Sequence, residues 1–147
     1  AMQGTLYRVS SSILPQLCDR EDAVQACIEK AWRKRADLRD DAKLQSWVVR
    51  ILIHECYQIL RRRKRETPME AVPDMPAPTG ANASLYRFFS SLPDKLRLPM
   101  VLYYLEGYSI AEIGGMLRLP QGTVKSRLAR GREKMKKDRT FEEVEGL

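Results

Sequence analysis

Apolar residues along this chain recur at three- and four-residue intervals and show no sustained alternation, so the pattern predicts helices throughout and no strands. Asp19 to Trp32 carries Ala23, Val24, Cys27, Ile28, Ala31 and Trp32 on one broad stripe behind an acidic opening turn, Asp19 and Asp22. After a polar stretch from Arg33 to Lys43, a longer helix starts at Leu44. It runs through Trp47, Val48, Ile51, Leu52, Cys56, Ile59 and Leu60 into Arg61-Arg62-Arg63-Lys64-Arg65. Both tryptophans sit on apolar stripes and are expected in the core. Glu66 to Ser84 then holds Pro68, Pro73, Pro76 and Pro78 among small and acidic residues, with no aromatic side chain, which is the composition of a tether.

The second half resumes the helical period. Leu85, Phe88, Phe89 and Leu92 form a short stripe, Pro93 suits a first helical turn, and Leu98, Val101, Leu102 and Leu105 form another stripe that Gly107 stops. Ser109 with Glu112 makes a capping box, and Tyr108 with Ile113 takes the positions of a hydrophobic staple. Ile110, Ile113 and Leu117 then share a face, and after the Leu119-Pro120 break Val124, Leu128 and Met135 make a second stripe. Two short amphipathic helices about a tight break read as a helix-turn-helix. The fold class is therefore all-α: two small helical domains, 1–65 and 85–137, joined by a Pro-rich linker at 66–84 and followed by an acidic tail at 138–147.

Charge sharpens this division. The 147 residues carry a net charge of +7, distributed as +6 over 1–65, −3 over 66–84, +7 over 85–137 and −3 over 138–147. Two basic lobes around an acidic connector suit a polyanionic partner. No apolar run is long enough to span a bilayer and no signal-peptide pattern opens the chain, so a cytoplasmic protein is expected, without direct membrane insertion. Ala1-Met2 has the look of a cloning scar on a trimmed chain. Cys18, Cys27 and Cys56 lack Cys-x-x-Cys spacing and His54 is the sole histidine, so neither a metal site nor any other cofactor is expected, and the thiols read as reduced and structural. No nucleophile–base constellation surrounds His54, which argues against an enzyme.

On the second helix of the helix-turn-helix, the side opposite Val124 and Leu128 centres on Ser126, Ala129 and Arg130, flanked by Lys125, Arg127 and Arg132. Such a face suits a major groove: Arg donates bidentately to guanine, Ser pairs with several base edges, and flanking cations reach phosphates. The five cations at 61–65 exceed what a helix C-terminus needs, and their mutual repulsion calls for an anion nearby.

The second lobe, from Leu92-Pro93-Asp94-Lys95 through Glu106-Gly107-Tyr108-Ser109 to Gly122-Thr123-Val124-Lys125-Ser126-Arg127-Leu128-Ala129-Arg130-Gly131-Arg132, closely resembles region 4 of extracytoplasmic-function sigma factors. These are bacterial RNA polymerase specificity subunits. Leu6-Tyr7-Arg8, Asp22-Ala23-Val24-Gln25, Ala31-Trp32-Arg33-Lys34, Trp47 and Arg61-Arg62-Arg63 are similar to region 2 of the same family. The resemblance implies that Gln25, Glu29, Trp32 and Arg33 dock on core polymerase and that the loop Lys34 to Gln45 captures a flipped base of the −10 element. It further implies that His54, Tyr57, Gln58, Arg61, Arg62 and Arg63 serve −10 recognition and melting, and that Thr123, Lys125, Ser126, Arg127, Arg130 and Arg132 serve the −35 element. An anti-sigma factor, holding the chain inactive at the membrane, is an implied partner beside promoter DNA. The chain departs from the family in His54 and Gln58, where Asn and Asp are common, and in Arg118 at the usual turn glycine; with Gly114-Gly115, a looser turn is expected.

Three functions compete. A sigma factor would direct core polymerase to promoters. A stand-alone helix-turn-helix regulator would bind an operator directly, yet the chain has no dimerisation heptad and devotes its first half to a second basic domain. A polymerase-docking adapter with decayed DNA reading would leave promoter-directed transcription absent.

Overall fold

Residues 2–66 and 83–137 are described in the computed structural model, and among them there are seven α-helices and no strand. The first, α1 (Met2–Ile13), buries Leu6, Val9 and Ile13 along one face. Three serines follow each other in it, Ser10, Ser11 and Ser12, all buried, donating to the Tyr7 carbonyl at 3.0 and 2.7 Å and to the Arg8 carbonyl at 2.8 Å. These back-bonds satisfy hydroxyls that would otherwise be stranded in the interior. Serine ordinarily argues for a cap or turn, which is why periodicity alone does not announce α1.

Helix α2 (Leu17–Arg33) begins two residues before the predicted Asp19, and α3 (Leu44–Glu66) follows the predicted span. Two single 3-10 turns, Arg35–Asp37 and Asp41–Lys43, fill the polar stretch between them, the second capped by Asp40, whose carboxylate accepts from the Ala42 N–H at 3.0 Å. Val48, Val49, Leu52, Ile53, Cys56 and Ile59 of α3 are buried in one cluster with Ala23 and Cys27 of α2 and with Leu14, which lies between α1 and α2. The Cys27 thiol donates to the Val48 carbonyl at 3.4 Å. Lys30 pairs with the buried Glu55 between α2 and α3.

In the second half, α4 (Ala83–Ser90) starts two residues inside the span expected as linker. Glu66, where that linker is expected to begin, is the last residue of α3, and residues 67–82, the acidic tail and the Leu85 side chain lie outside the described residues. Pro93 takes the N-cap of α5 (Asp94–Met100), one residue before the first turn in which it is expected, with the Leu96 and Arg97 N–H groups on its carbonyl. Pro99 lies inside this helix, where a ring without an N–H breaks the i−4 ladder. The helix widens directly after it into a π turn, Val101–Leu105, closed by the Glu106 N–H on the Val101 carbonyl at 3.1 Å. Gly107 then ends it at φ 77°, a left-handed geometry that glycine takes without strain. The helix-turn-helix pair, α6 (Ile110–Leu117) and α7 (Gln121–Lys137), packs on this segment.

The two halves touch. Arg8 Nε and Nη2 donate to the two Glu106 carboxylate oxygens at 2.8 and 2.7 Å, and the Glu106 side chain is 2% exposed. Arg97, buried in α5, donates to Ser12 O at the end of α1 at 3.2 Å and to Leu92 O at 2.8 Å. Helix α6 lies against α3. One core expectation fails: Trp32 is 67% exposed, at the solvent end of the α2 stripe, while Trp47 is half-buried.

Candidate nucleic-acid interface

The helix-turn-helix is held by local chemistry at each joint. Ser109 Oγ accepts from the Glu112 N–H and Glu112 Oε1 accepts from the Ser109 N–H, both at 3.1 Å, completing the predicted capping box. Tyr108 and Ile113 are both buried, and burial, with Glu106 and Glu112 nearby, pushes the Tyr108 phenol up to about 12. Arg118 adopts φ 56°, ψ 46°, the left-handed cap geometry anticipated for this position. The turn is nevertheless tight rather than loose: the Leu119 N–H reaches the Gly114 carbonyl at 3.0 Å. Gly114 makes this possible, because a Cβ there would stand 3.0 Å from the Leu119 carbonyl oxygen.

On α7, Val124 and Leu128 are buried and the opposite side faces water. Lys125, Ser126, Arg130 and Arg132 are exposed, while Thr123 and Arg127 are half-buried. The Ser126 hydroxyl donates to the Gly122 carbonyl at 3.0 Å, and Arg132 Nη1 donates to the Tyr104 hydroxyl at 3.3 Å. The charge of Arg127 acts on Tyr57 of α3. Gly131, one turn from the basic face, is buried against Met100 so closely that a Cβ would sit 2.5 Å from the Met100 sulfur.

On α3, His54, Gln58, Arg61 and Arg62 are exposed, with Gln58 Nε2 and His54 Nε2 3.1 Å apart. Tyr57 is half-buried, and its phenol is raised above its ordinary range, first by burial and then by Asp94. Arg63 stands apart from its neighbours: its Nε and Nη2 donate at 3.0 and 2.8 Å to the carboxylate of Asp19, which is buried in the first turn of α2. That guanidinium is already engaged within the chain, so the cationic surface at this end consists of Arg61, Arg62, Lys64 and Arg65.

A third surface lies on α2. At about 100° per residue, Ala23, Cys27, Ala31, Val24, Ile28 and Trp32 span roughly 180° of the helix. Burial falls steadily across that arc: Ala23 and Cys27 are buried, Val24 and Ala31 are partly covered, Ile28 is 51% exposed and Trp32 67%. Arg35 stacks on the Trp32 ring at 4.1 Å. Gln25, Glu29 and Arg33 border this edge, with Gln25 donating to Glu29 at 3.4 Å. Leu17 and Tyr7 add further exposed apolar surface beside it. Sequence reasoning missed Leu17 and Ile28 as surface residues; the signal was an apolar arc too wide for one core-facing side to cover.

Among the described residues, an all-helical fold with a capped helix-turn-helix, a solvent-facing basic recognition helix and a second basic helical unit defines a transcription protein of the helix-turn-helix class. Residues 1–66 match the Sigma-70 region 2 family model and residues 82–135 match Sigma-70, region 4. The chain belongs to the extracytoplasmic-function sigma factors. It is 36% identical over 122 residues to the ECF RNA polymerase sigma factor SigM of Mycobacterium tuberculosis, a match covering 80% of this chain and 62% of that protein. It is 28% identical over 152 residues to the ECF RNA polymerase sigma factor SigW of Bacillus subtilis, covering 90% of this chain and 81% of the relative. Among solved structures, the sigma factor RpoE in complex with the anti-sigma factor NepR from Bartonella quintana superposes with a TM-score of 0.76 at 25% identity, over 99% of this chain and 92% of that one.

Proposed function

We propose that this chain is an alternative sigma factor: it binds core RNA polymerase in the cytoplasm and directs it to a specific set of promoters, performing no catalytic step itself. The observation that carries the reading is the pairing of two surfaces on one chain, the basic face of α7 and the apolar edge of α2 at Ile28 and Trp32. The first suits a major groove. The second is an exposed apolar strip bordered by Gln25, Glu29 and Arg33, which suits a helical partner surface on the polymerase.

In this reading Lys125, Ser126 and Arg130 contact bases and phosphates of the −35 element, with Thr123, Arg127 and Arg132 on the backbone. His54, Tyr57, Gln58, Arg61 and Arg62 meet the −10 region, where aromatic and cationic groups hold separated strands. Arg63 positions that end of α3 through Asp19 instead of contacting phosphate. An anti-sigma factor is the expected inhibitory partner.

In vitro transcription from a genomic promoter library, with core polymerase and with or without the chain, tests the assignment: initiation at a discrete promoter set is expected only with the chain present. Arg130→Ala is expected to weaken binding by about 1–3 kcal/mol and relax preference at one −35 position. Trp32→Ala, removing an exposed side chain, is expected to weaken co-elution with core polymerase without unfolding the chain. Operator binding by the isolated protein without any polymerase-dependent initiation would point to the stand-alone regulator.

A further inference from the structure

The recognition helix α7 is tied at its rim to a residue from outside the helix-turn-helix. Arg132 Nη1 donates to the Tyr104 hydroxyl at 3.3 Å, and both side chains are exposed. Arg132 follows Lys125 by seven residues, which at about 100° per residue is about 20° short of two full turns. The two cations therefore share one row along α7, about 10 Å apart. That row runs beside the face centred on Ser126, at the place already proposed for Arg132 on the phosphate backbone.

Two features of the fold bring Tyr104 there. Gly131 packs on Met100 without a Cβ, so α7 approaches the end of α5 closely and the next residue, Arg132, comes within reach of the segment that follows Met100. That segment is the π turn Val101–Leu105, whose extra residue in the turn shifts the phase of the side chains after it. Val101 and Leu102 stay buried while Tyr104 faces solvent at 41% exposure. Its ring is seated among others: the Phe89 centroid is 6.3 Å away and the Tyr103 centroid 5.0 Å, so the position of the hydroxyl is set by aromatic packing.

A phenol oxygen that accepts from a guanidinium keeps its own O–H to donate, and the guanidinium has further N–H groups. The pair thus presents one charged and one neutral donor, from two different elements, at one point on an exposed rim. A phosphodiester oxygen is the acceptor that matches, since cationic N–H groups and tyrosine hydroxyls both serve phosphates and neither needs a base edge. We infer that Tyr104 and Arg132 form a two-donor clamp on one backbone phosphate of the duplex that α7 reads, Tyr104 holding the guanidinium in place and donating its own O–H to the same phosphate. The clamp rests on the DNA-reading role proposed for α7, and it carries the DNA-contacting surface beyond α7 onto the π turn.

Binding of the holoenzyme, core polymerase with the full chain, to promoter duplexes recovered from the genomic library tests the clamp. Tyr104→Phe removes the hydroxyl and keeps the ring against Phe89 and Tyr103, so the urea midpoint of the free chain is expected to stay at the wild-type value. Its holoenzyme is expected to bind about three- to tenfold more weakly, and equally so on promoters of different −35 sequence, because a phosphate contact carries no sequence. Arg132→Gln is expected to weaken binding in the same uniform way and to lower the log–log salt slope by about 0.9, the share of one phosphate.

Duplexes carrying a neutral methylphosphonate at one phosphate at a time through the −35 region locate the contact. At one position the wild-type holoenzyme is expected to lose affinity, while Tyr104→Phe and Arg132→Gln lose nothing further there. Wild-type affinity in Tyr104→Phe would overturn the clamp. So would a Tyr104→Phe loss that persists at every methylphosphonate position, which would make Tyr104 a packing residue of α7 and no part of a phosphate site. Failure of the wild-type holoenzyme to select any promoter from the library would remove the sigma-factor reading and the clamp with it, whereas normal selection with Tyr104→Phe equal to wild type would remove the clamp alone.

Discussion

Glycine to alanine in a helix interior ordinarily stabilises by about 1 kcal/mol, because alanine gives up less backbone freedom on folding. The helix-turn-helix of this chain should give opposite signs at two such positions. Gly115 in α6 is exposed and has no atom within 4 Å of where a Cβ would stand, so Gly115→Ala is expected to stabilise by about 0.5–1 kcal/mol. Gly131 in α7 is buried, and its added Cβ would meet Met100 Sδ at 2.5 Å, Cγ at 2.8 Å and Cε at 3.0 Å. Met100 is itself fully buried at the end of α5, so its flexible side chain has nowhere open to swing. Overpacking of this kind costs about 1–3 kcal/mol, and the propensity term offsets about 1, so Gly131→Ala should destabilise by up to about 2 kcal/mol. The propensity term cancels between the two variants, leaving a difference of about 1–3 kcal/mol that belongs to the Met100 contact alone. Urea unfolding followed by circular dichroism reads it, with Gly131→Ala/Met100→Ala expected to lose less than the sum of the two single changes. If Gly131→Ala raised the midpoint as much as Gly115→Ala does, the close packing of α7 on α5 would be refuted.

Other outcomes follow from the same contacts. Arg63→Ala should destabilise more than Asp19→Ala in urea unfolding, because the first strands a buried carboxylate and the second leaves a guanidinium able to reach water. The reverse order would show that Asp19 is not sequestered. Ser109→Ala, removing the α6 cap, should cost about 1 kcal/mol by the same method. Under native conditions a thiol reagent should modify Cys18 rapidly and the other two cysteines only on unfolding, since burial raises Cys27 to about 11 and Cys56 higher still. Stability should also fall as pH rises past about 9: folding lifts Cys27 from 9.0 to about 11 and Tyr108 from 10.0 to about 12, so the unfolded chain releases protons that the folded chain retains. That stabilisation is complete below about pH 9 and lost through pH 9 to 12. A constant urea midpoint between pH 8.5 and 10.5 would contradict the burial of both groups.

The elements that sequence periodicity revealed are those whose chemistry is local. The capping box at Ser109 and Glu112, the Leu119-Pro120 break, the long α3 stripe and the left-handed demand at Arg118 each reside within a few residues. The contacts it could not reveal join distant residues: Arg8 with Glu106, Arg63 with Asp19, Gly131 with Met100. Nothing in the period of a helix specifies which remote partner a guanidinium finds. Trp32 is an intermediate case. Its place on the apolar stripe was legible, but a stripe covering about half a helix holds more apolar surface than α1 and α3 can cover, and periodicity does not say which edge stays outside.

The chain's only two tryptophans stand at these unsettled edges, Trp32 on the outer margin of α2 beneath Arg35 and Trp47 in the cleft that α6 shares with the α2–α3 loop. The protein thus carries its own pair of optical reporters. With Trp47→Phe, a blue shift in the remaining emission records water leaving the α2 margin as a partner seats there. With Trp32→Phe, the remaining emission reports the solvation of the cleft that Trp47 shares with α6 and the α2–α3 loop. Two unlabelled single-tryptophan proteins therefore report separately on the α2 margin and on the cleft beneath α6.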